Sequence, residues 1–385
     1  MSINWSWRSS VSSFVVMFLT GTFVFLPTVS TAQTVEWPSY GADVEGSKYS
    51  PLDQINGDNF GDLEIVWRQS VLPDAVRGDR DVRASLAAQN TPLMVDGRLY
   101  ISTGLGTVAA LDARTGDVLW HDLPPDRDGE PFERVRQTRG VAYWEDPQSE
   151  DRRVLAVVGS YLVALNARSG GRYPDFGNGG EVDLTQGYDD RTVDSFSWGS
   201  PPIVVNGVVI IGSAISDVTN PTMPAMKEMP PGDVRGFDAR TGVQLWSFHT
   251  IPREGEPGNE TWLSALDQDR ASWEYTGNTN MWAWASADEE LGYVYVPLST
   301  PTNDYYGGYR PGDNLFAESI VCLDARSGRR VWHFQAVHHG IWDYDFPAAP
   351  NVVDITVDGR VIKAVAAVSK QAFTYVLDRE TGEPV

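Results

Sequence analysis

One pattern returns five times along the chain and constrains its fold more than any other feature. An apolar residue, Asp, two variable positions, Thr or Ser, Gly and a later Trp read as ALDARTGDVLW at 110–120, GFDARTGVQLW at 236–246 and CLDARSGRRVW at 322–332. A looser copy, ALNARSGGRY, occupies 164–173, and VLDRETGEPV at 376–385 has the turn without the Trp. Asp bonds its own backbone and Gly accepts positive φ, so the middle of each copy is a tight turn. Each copy follows a strand-length run such as GRLYIST, RVLAVVG, GVVIIGS or GYVYVPL, rich in β-branched and aromatic residues. The Trp then falls on the next strand, placed to pack between neighbouring sheets.

Short strands repeated with a Trp-bearing turn predict an all-β chain built as a β-propeller. No stretch sustains helical periodicity. GLGTVAA at 104–110 imitates a dinucleotide-binding fingerprint but runs into ALDARTG, another strand and turn. No helix follows to receive a pyrophosphate, so a nicotinamide site is not expected. Segments 120–150, 172–200 and 247–275 lack the pattern and read as loops decorating one face of the ring.

Thirty Lys and Arg against 52 Asp and Glu leave a net charge of −22, which argues against nucleic acid as a partner. Arg8, the apolar run Val11 to Leu26 and Ser-Thr-Ala at 30–32 form the pattern of an export signal cleaved near Ala32. Residues 1–32 are thus expected to be a signal peptide and 33–385 a soluble periplasmic domain, with no later run apolar enough to span a bilayer. Cys322 is the one cysteine, so neither an internal disulfide nor a CxxCH haem attachment is expected. His338 and His339, the one adjacent histidine pair, point to opposite faces of an extended segment and make a poor zinc clamp.

The stretch HHGIWDYDFPAAP at 338–350 sets Asp343 and Asp345 two residues apart among Trp342, Tyr344 and Phe346. Ionised side chains are costly to bury without partners. An acidic pair in an aromatic frame is therefore either a solvated loop with accidental neighbours or a site where charge is used. In an extended segment the two carboxylates share a face.

The turn motif, the opening WPSYGADVEGSKYSPLDQI at 37–55 and the WDYD stretch together resemble the quinoprotein dehydrogenases. Those enzymes use pyrroloquinoline quinone (PQQ) and a divalent metal in an eight-bladed propeller. The similarity runs from Trp37 to the end of the chain, and HHGIWDYDFPAAP with SKQAFTYVLDRETGE is most similar to the membrane-type glucose dehydrogenase branch. Five turn copies do not close eight blades, so a C-terminally incomplete propeller is expected.

The resemblance implies roles for individual residues. Asp343 is the general base, removing an alcohol O–H proton so that the C–H can leave as hydride. Asp217, Asp343 and Thr300 or Thr302 are oxygen ligands of Ca²⁺ or another hard cation, with Asp345 as an added ligand. Trp282 is the floor beneath the flat quinone. Lys370 faces the quinone oxygens and acts in catalysis and cofactor binding. Arg139 and Gln89 complete the cofactor partners.

Three positions depart from the family pattern. Gln89 replaces a common Glu, Glu133 and Arg134 stand where the alcohol branch has vicinal cysteines, and Val135 stands where the glucose-oxidising branch has His. The implied substrate is accordingly a sugar, polyol or alcohol. Electrons pass to an external acceptor, a c-type cytochrome or ubiquinone. A competing reading is a non-catalytic propeller that docks other proteins. The two differ in whether Asp217, Trp282, Asp343 and Lys370 meet at one end of the ring axis.

Overall fold

The repeated turn builds the same joint at each copy. In Asp112, Asp238, Asp324 and Asp378, and in Asn166 of the looser copy, Oδ1 accepts backbone N–H groups two or three residues on. The glycine that follows is left-handed every time, with φ of 77° at Gly116, 74° at Gly170, 71° at Gly242, 68° at Gly328 and 79° at Gly382. The structure, a computed structural model, describes residues 35–85, 89–127, 132–188, 193, 196–214, 226–265 and 269–385. The expected signal peptide and Asp217 lie outside the described residues.

Between the turns the chain meanders through antiparallel sheets, as alternating apolar runs and turns require. The first holds β1 (Leu93–Val95), β2 (Arg98–Ser102), β3 (Val108–Asp112) and β4 (Val118–His121) in that order. The second holds β5 (Ala142–Glu145), β6 (Arg152–Val158), β7 (Tyr161–Asn166) and β8 (Glu181–Asp183). The third holds β9 (Ile203–Val205), β10 (Val208–Ile211), β11 (Val234–Asp238) and β12 (Gln244–Phe248). The fourth holds β13 (Ser286–Asp288), β14 (Tyr293–Pro297), β15 (Ser319–Asp324) and β16 (Arg330–Gln335). A fifth, three-stranded sheet holds β17 (Asn351–Val357), β18 (Arg360–Val368) and β19 (Thr374–Asp378). These are the blades of the propeller the repeat predicts. Among the described residues, no helix is long and apolar enough to cross a membrane.

The sheets stack through both faces. Along β6, Val154, Ala156 and Val158 join the core shared with the first sheet, while Leu155 and Val157 join the core shared with the third. That is why the run reads as continuously apolar rather than alternating. The motif Trp fastens three of the joints. Trp120 donates its indole N–H to Ala167 O at 3.1 Å, Trp246 to Ala325 O at 3.0 Å and Trp332 to Arg379 O at 3.1 Å. In each case the acceptor lies in the turn of the following blade, and the ring lies against that turn's glycine. A register shift just before the turn recurs at Ala110/Leu111, Gly236/Phe237 and Cys322/Leu323. Such bulges bend the strand and re-aim the side chains beyond it. The looser copy lacks the Trp, and there Phe176 lies beside Gly242 instead.

The opening segment ties distant blades together. Trp37 exchanges backbone bonds with Met94, Val44 O accepts from Ala287, and Glu45 O accepts from Val352. Trp284 packs on Tyr40 with centroids 5.5 Å apart and closes against Gly41, a purely structural use of that indole.

Candidate active site

The topology gathers the candidate residues. Gln89, Arg139, Ser200, Trp282 and Asp345 each precede the first strand of a blade, and Thr300 and Lys370 each follow a second strand. In an antiparallel pair, the start of one strand and the end of the next lie at the same edge. Residues far apart in sequence thus reach one end of the blades.

Asp345, of which 5 % remains exposed, is the hub. Its Oδ1 accepts from the Thr300 backbone N–H at 2.7 Å and the Thr300 hydroxyl at 3.0 Å. Its Oδ2 accepts from the Trp282 indole N–H at 2.8 Å and from Lys370 Nζ at 3.0 Å. Four donors thus fill the lone pairs of one carboxylate, a saturated acceptor that orients its neighbours. A main-chain bond from Lys370 N to Asp345 O, 3.0 Å, fixes the two segments together.

Lys370 Nζ also bonds Asp343 Oδ1 at 2.7 Å, so one ammonium spans both acids. Burial raises the pKa of Asp343, the neighbouring Asp345 adds to that, and Lys370 opposes it. Burial presses the ammonium of Lys370 towards neutrality, but the two carboxylates outweigh it and hold its pKa up.

Two details differ from the reading of the sequence. The segment is not extended, because Asp343 has a φ of 56°. The acids converge through Lys370 rather than by alternation. The aromatic frame is also incomplete: Phe346 is buried against Tyr375, whereas Trp342 is 67 % exposed.

Trp282 lies half-buried between two cations. The Arg139 guanidinium stands 5.5 Å from its ring centroid and Lys370 Nζ 5.7 Å from it. Arg139 is aimed by bonds from Nε to Gln89 Oε1 at 3.1 Å, and from Nη1 to Ser200 Oγ at 3.0 Å and Trp282 O at 3.3 Å. Its Nη2 has no hydrogen-bond partner among the described residues. Ser200 itself donates to Trp282 O at 2.8 Å. Thr302 is held elsewhere by its backbone, donating from N to Gly277 O and accepting from Arg310 Nε at 3.2 Å. His339 serves structure, with Nδ1 2.9 Å from Gly312 O. Among the described residues no three His, Cys, Asp or Glu side chains stand ready to hold a metal ion.

Sequence reasoning passed over Ser200, Arg310 and Glu318. Glu318 is wholly buried beside the hub: Oε1 accepts from the Tyr344 N–H at 3.0 Å and lies 3.0 Å from the Thr300 hydroxyl, whose single proton it shares with Asp345. Its pKa is pushed up to about 7, chiefly by burial. A carboxylate at the head of the apolar run AESIVCL was the one available signal.

A floor of aromatic carbon flanked by two cations, with an acidic pair at its edge, suits a flat anionic ligand bearing carbonyl groups. The comparisons agree. Residues 37–385 match the family model described as PQQ: Glucose/ethanol/alcohol dehydrogenase, beta-propeller domain. The chain is 33 % identical over 368 residues to the quinoprotein glucose dehydrogenase of Escherichia coli (strain K12), covering 93 % of this chain and 44 % of that protein. It is 30 % identical to the glycerol dehydrogenase large subunit of Gluconobacter oxydans (strain 621H), covering 91 % of this chain and 46 % of that protein. The solved quinohemoprotein alcohol dehydrogenase from Comamonas testosteroni superposes with a TM-score of 0.71 at 27 % identity, over 93 % of this chain and 49 % of that one. The chain thus spans less than half the length of these relatives.

Proposed function

Given that this chain belongs to the family of PQQ-dependent glucose/ethanol/alcohol dehydrogenase β-propellers, we propose that it oxidises a C–OH group of a sugar, polyol or alcohol with PQQ as cofactor. The observation that carries the reading is the meeting of Asp343, Asp345, Lys370 and Trp282 through bonds of 2.7 to 3.0 Å. A protein-docking propeller has no need of that cluster.

The residues present fit the cofactor. Trp282 offers a face for a flat ring. Arg139 keeps Nη2 unspent for a carboxylate, and its neighbours fix the fork in place. Gln89 adds a neutral hydrogen-bonding group. When bound, PQQ supplies the two-electron acceptor for the hydrogen leaving carbon.

Asp343 takes the proton from the substrate hydroxyl, and general-base assistance of this kind is worth about 10²–10⁴-fold. Lys370 holds that carboxylate and keeps positive charge beside the Trp282 face, where negative charge develops. A hard cation such as Ca²⁺ would be held by Asp343 with Asp217 and an oxygen of Thr300 or Thr302. Asp345 joins that set only by releasing one of its four donors. Because the single cysteine precludes a CxxCH haem site within these residues, electrons go to an acceptor outside them, such as a c-type cytochrome or ubiquinone. The leader-like opening supports an extracytoplasmic location.

Reconstitution tests the reading. The full chain with PQQ and Ca²⁺ is assayed with an artificial electron acceptor against sugars, polyols and alcohols. PQQ-dependent turnover that disappears in Asp343→Asn is expected. Folded protein with no turnover on any substrate would leave the docking propeller as the better account.

A further inference from the structure

Asp343 is left-handed, a conformation that non-glycine residues keep only when surrounding structure holds it. His339, four residues earlier, is left-handed too, with a φ of 49°. The chain from Gly340 to Tyr344 is gripped at both ends by side chains from another part of the fourth blade. Arg310, fully buried, donates from Nη2 to Gly340 O at 2.7 Å. The same guanidinium is pinned to the loop after β14 through Thr302 O at 3.2 Å, Asn303 O at 2.9 Å and Asn314 Oδ1 at 2.8 Å. Glu318, just ahead of β15, grips the other end by accepting the Tyr344 N–H at 3.0 Å. Its Oε1 also lies 3.0 Å from the Thr300 hydroxyl, whose single proton is shared with Asp345.

Glu318 and the gripped backbone are fitted to each other. Its second oxygen, Oε2, is buried with no hydrogen-bond partner and lies against Gly340. A Cβ on Gly340 would stand 1.6 Å from that oxygen, so any larger residue there must displace the carboxylate. A buried carboxylate is an expensive way to fill space, since an apolar side chain of the same size would have no desolvation cost. What an apolar side chain lacks is the acceptor for Tyr344 and Thr300.

We propose that Glu318 is a positioning residue for the reaction: with Arg310 it clamps the backbone of residues 340–344 and so sets the direction in which Asp343 presents its carboxylate. The inference rests on Asp343 being the base. Misplacement of a reacting group by about 1 Å can cost about 10²-fold in rate, so a clamp on its backbone is a catalytic asset without touching substrate.

Glu318→Gln keeps an acceptor oxygen for both bonds, while Glu318→Met fills a similar volume with none. The test is made on the full chain with two readouts. Hydrogen exchange of the Tyr344 amide is followed without cofactor or metal, and kcat and KM are measured after loading with PQQ and Ca²⁺. In Glu318→Met the Tyr344 amide is expected to exchange about tenfold faster, and kcat to fall about tenfold with KM within about twofold. Glu318→Gln is expected to restore both to near the parent values. Unchanged exchange in Glu318→Met overturns the clamp, and faster exchange with unchanged kcat overturns its role in positioning the base. The exchange readout holds its meaning even if the parent protein shows no PQQ-dependent turnover, so failure of the clamp and failure of the enzymatic reading are separable. Should Glu318→Met not fold, Gly340→Ala displaces the same carboxylate and is read in the same two ways.

Discussion

The Trp282 indole N–H donates to Asp345 Oδ2 at 2.8 Å, so the second acid of the WDYD stretch orients that indole while the first is held by Lys370. The two carboxylates are two residues apart and chemically alike, yet their surroundings differ. Asp345 is filled by four donors. Asp343 is held through Oδ1 by Lys370. A division of labour follows, and it can be tested from either side.

Asp345→Ala leaves the Trp282 and Thr300 N–H groups without their acceptor. Each buried unpaired donor costs about 1–3 kcal/mol, so a lower urea midpoint is expected. PQQ, followed by quenching of tryptophan fluorescence, should bind at least about tenfold more weakly, the equivalent of about 1.4 kcal/mol. Asp345→Asn should do little better. It offers a single acceptor atom where four donors converge, and its amide N–H₂ must face either Thr300 or the Trp282–Lys370 pair.

Lys370→Met separates charge balance from chemistry. Removing the ammonium takes away the cation shared by both acids, and kcat should fall by about 10²-fold, as for other lost electrostatic stabilisers. Metal binding to the cofactor-free protein should move the other way. With the competing positive charge gone, Ca²⁺ should bind more tightly, measured by calorimetry. A loss of both together would mean that Lys370 acts through structure.

The blade joints give a stability prediction independent of function. Trp332 is 6 % exposed, bonds Arg379 O at 3.1 Å and packs on the Gly382 turn. Trp332→Ala should cost about 3–5 kcal/mol. Trp332→Phe keeps most of the packing and should cost about 1 kcal/mol for the lost bond. Val243, an exposed residue in the turn before Trp246, is the control, and Val243→Ala should stay within about 0.5 kcal/mol.

These joints were legible in the sequence because their chemistry is local. An Asp that bonds its own backbone, a left-handed Gly and a Trp at fixed spacing need no knowledge of the rest of the chain. The floor and its cations were legible only through family resemblance, since nothing in NMWAWAS says which tryptophan faces a ligand. Trp282 lies beside Arg139 and Lys370, and Trp284 packs on Tyr40. Glu318 and Arg310 escaped because a buried charge is recognised by its three-dimensional partners, and theirs come from Gly340 and Tyr344. The extended geometry assumed for Asp343 failed for the same reason: its φ of 56° is held by tertiary contacts that the local sequence does not contain.

His249 supplies a pH prediction away from the site. Its Nδ1 lies 2.8 Å from Glu256 Oε1, and Asp233, Glu256 and Arg253 are charged groups that act on it. Burial lowers its pKa, but Asp233 and the Glu256 bond outweigh both that and Arg253, so the folded value lies above the ordinary 6.5. Between 6.5 and that raised value the folded protein binds more proton than the unfolded chain. Stability from this group is therefore fully present below the unfolded pKa and is lost as pH rises through the folded one. Urea midpoints measured from about pH 6 to about pH 9 should decline in the parent protein. His249→Asn should lower the midpoint at the acid end and flatten the decline. An equal slope in both proteins would show that the imidazolium is not coupled to Asp233 and Glu256 in the folded state.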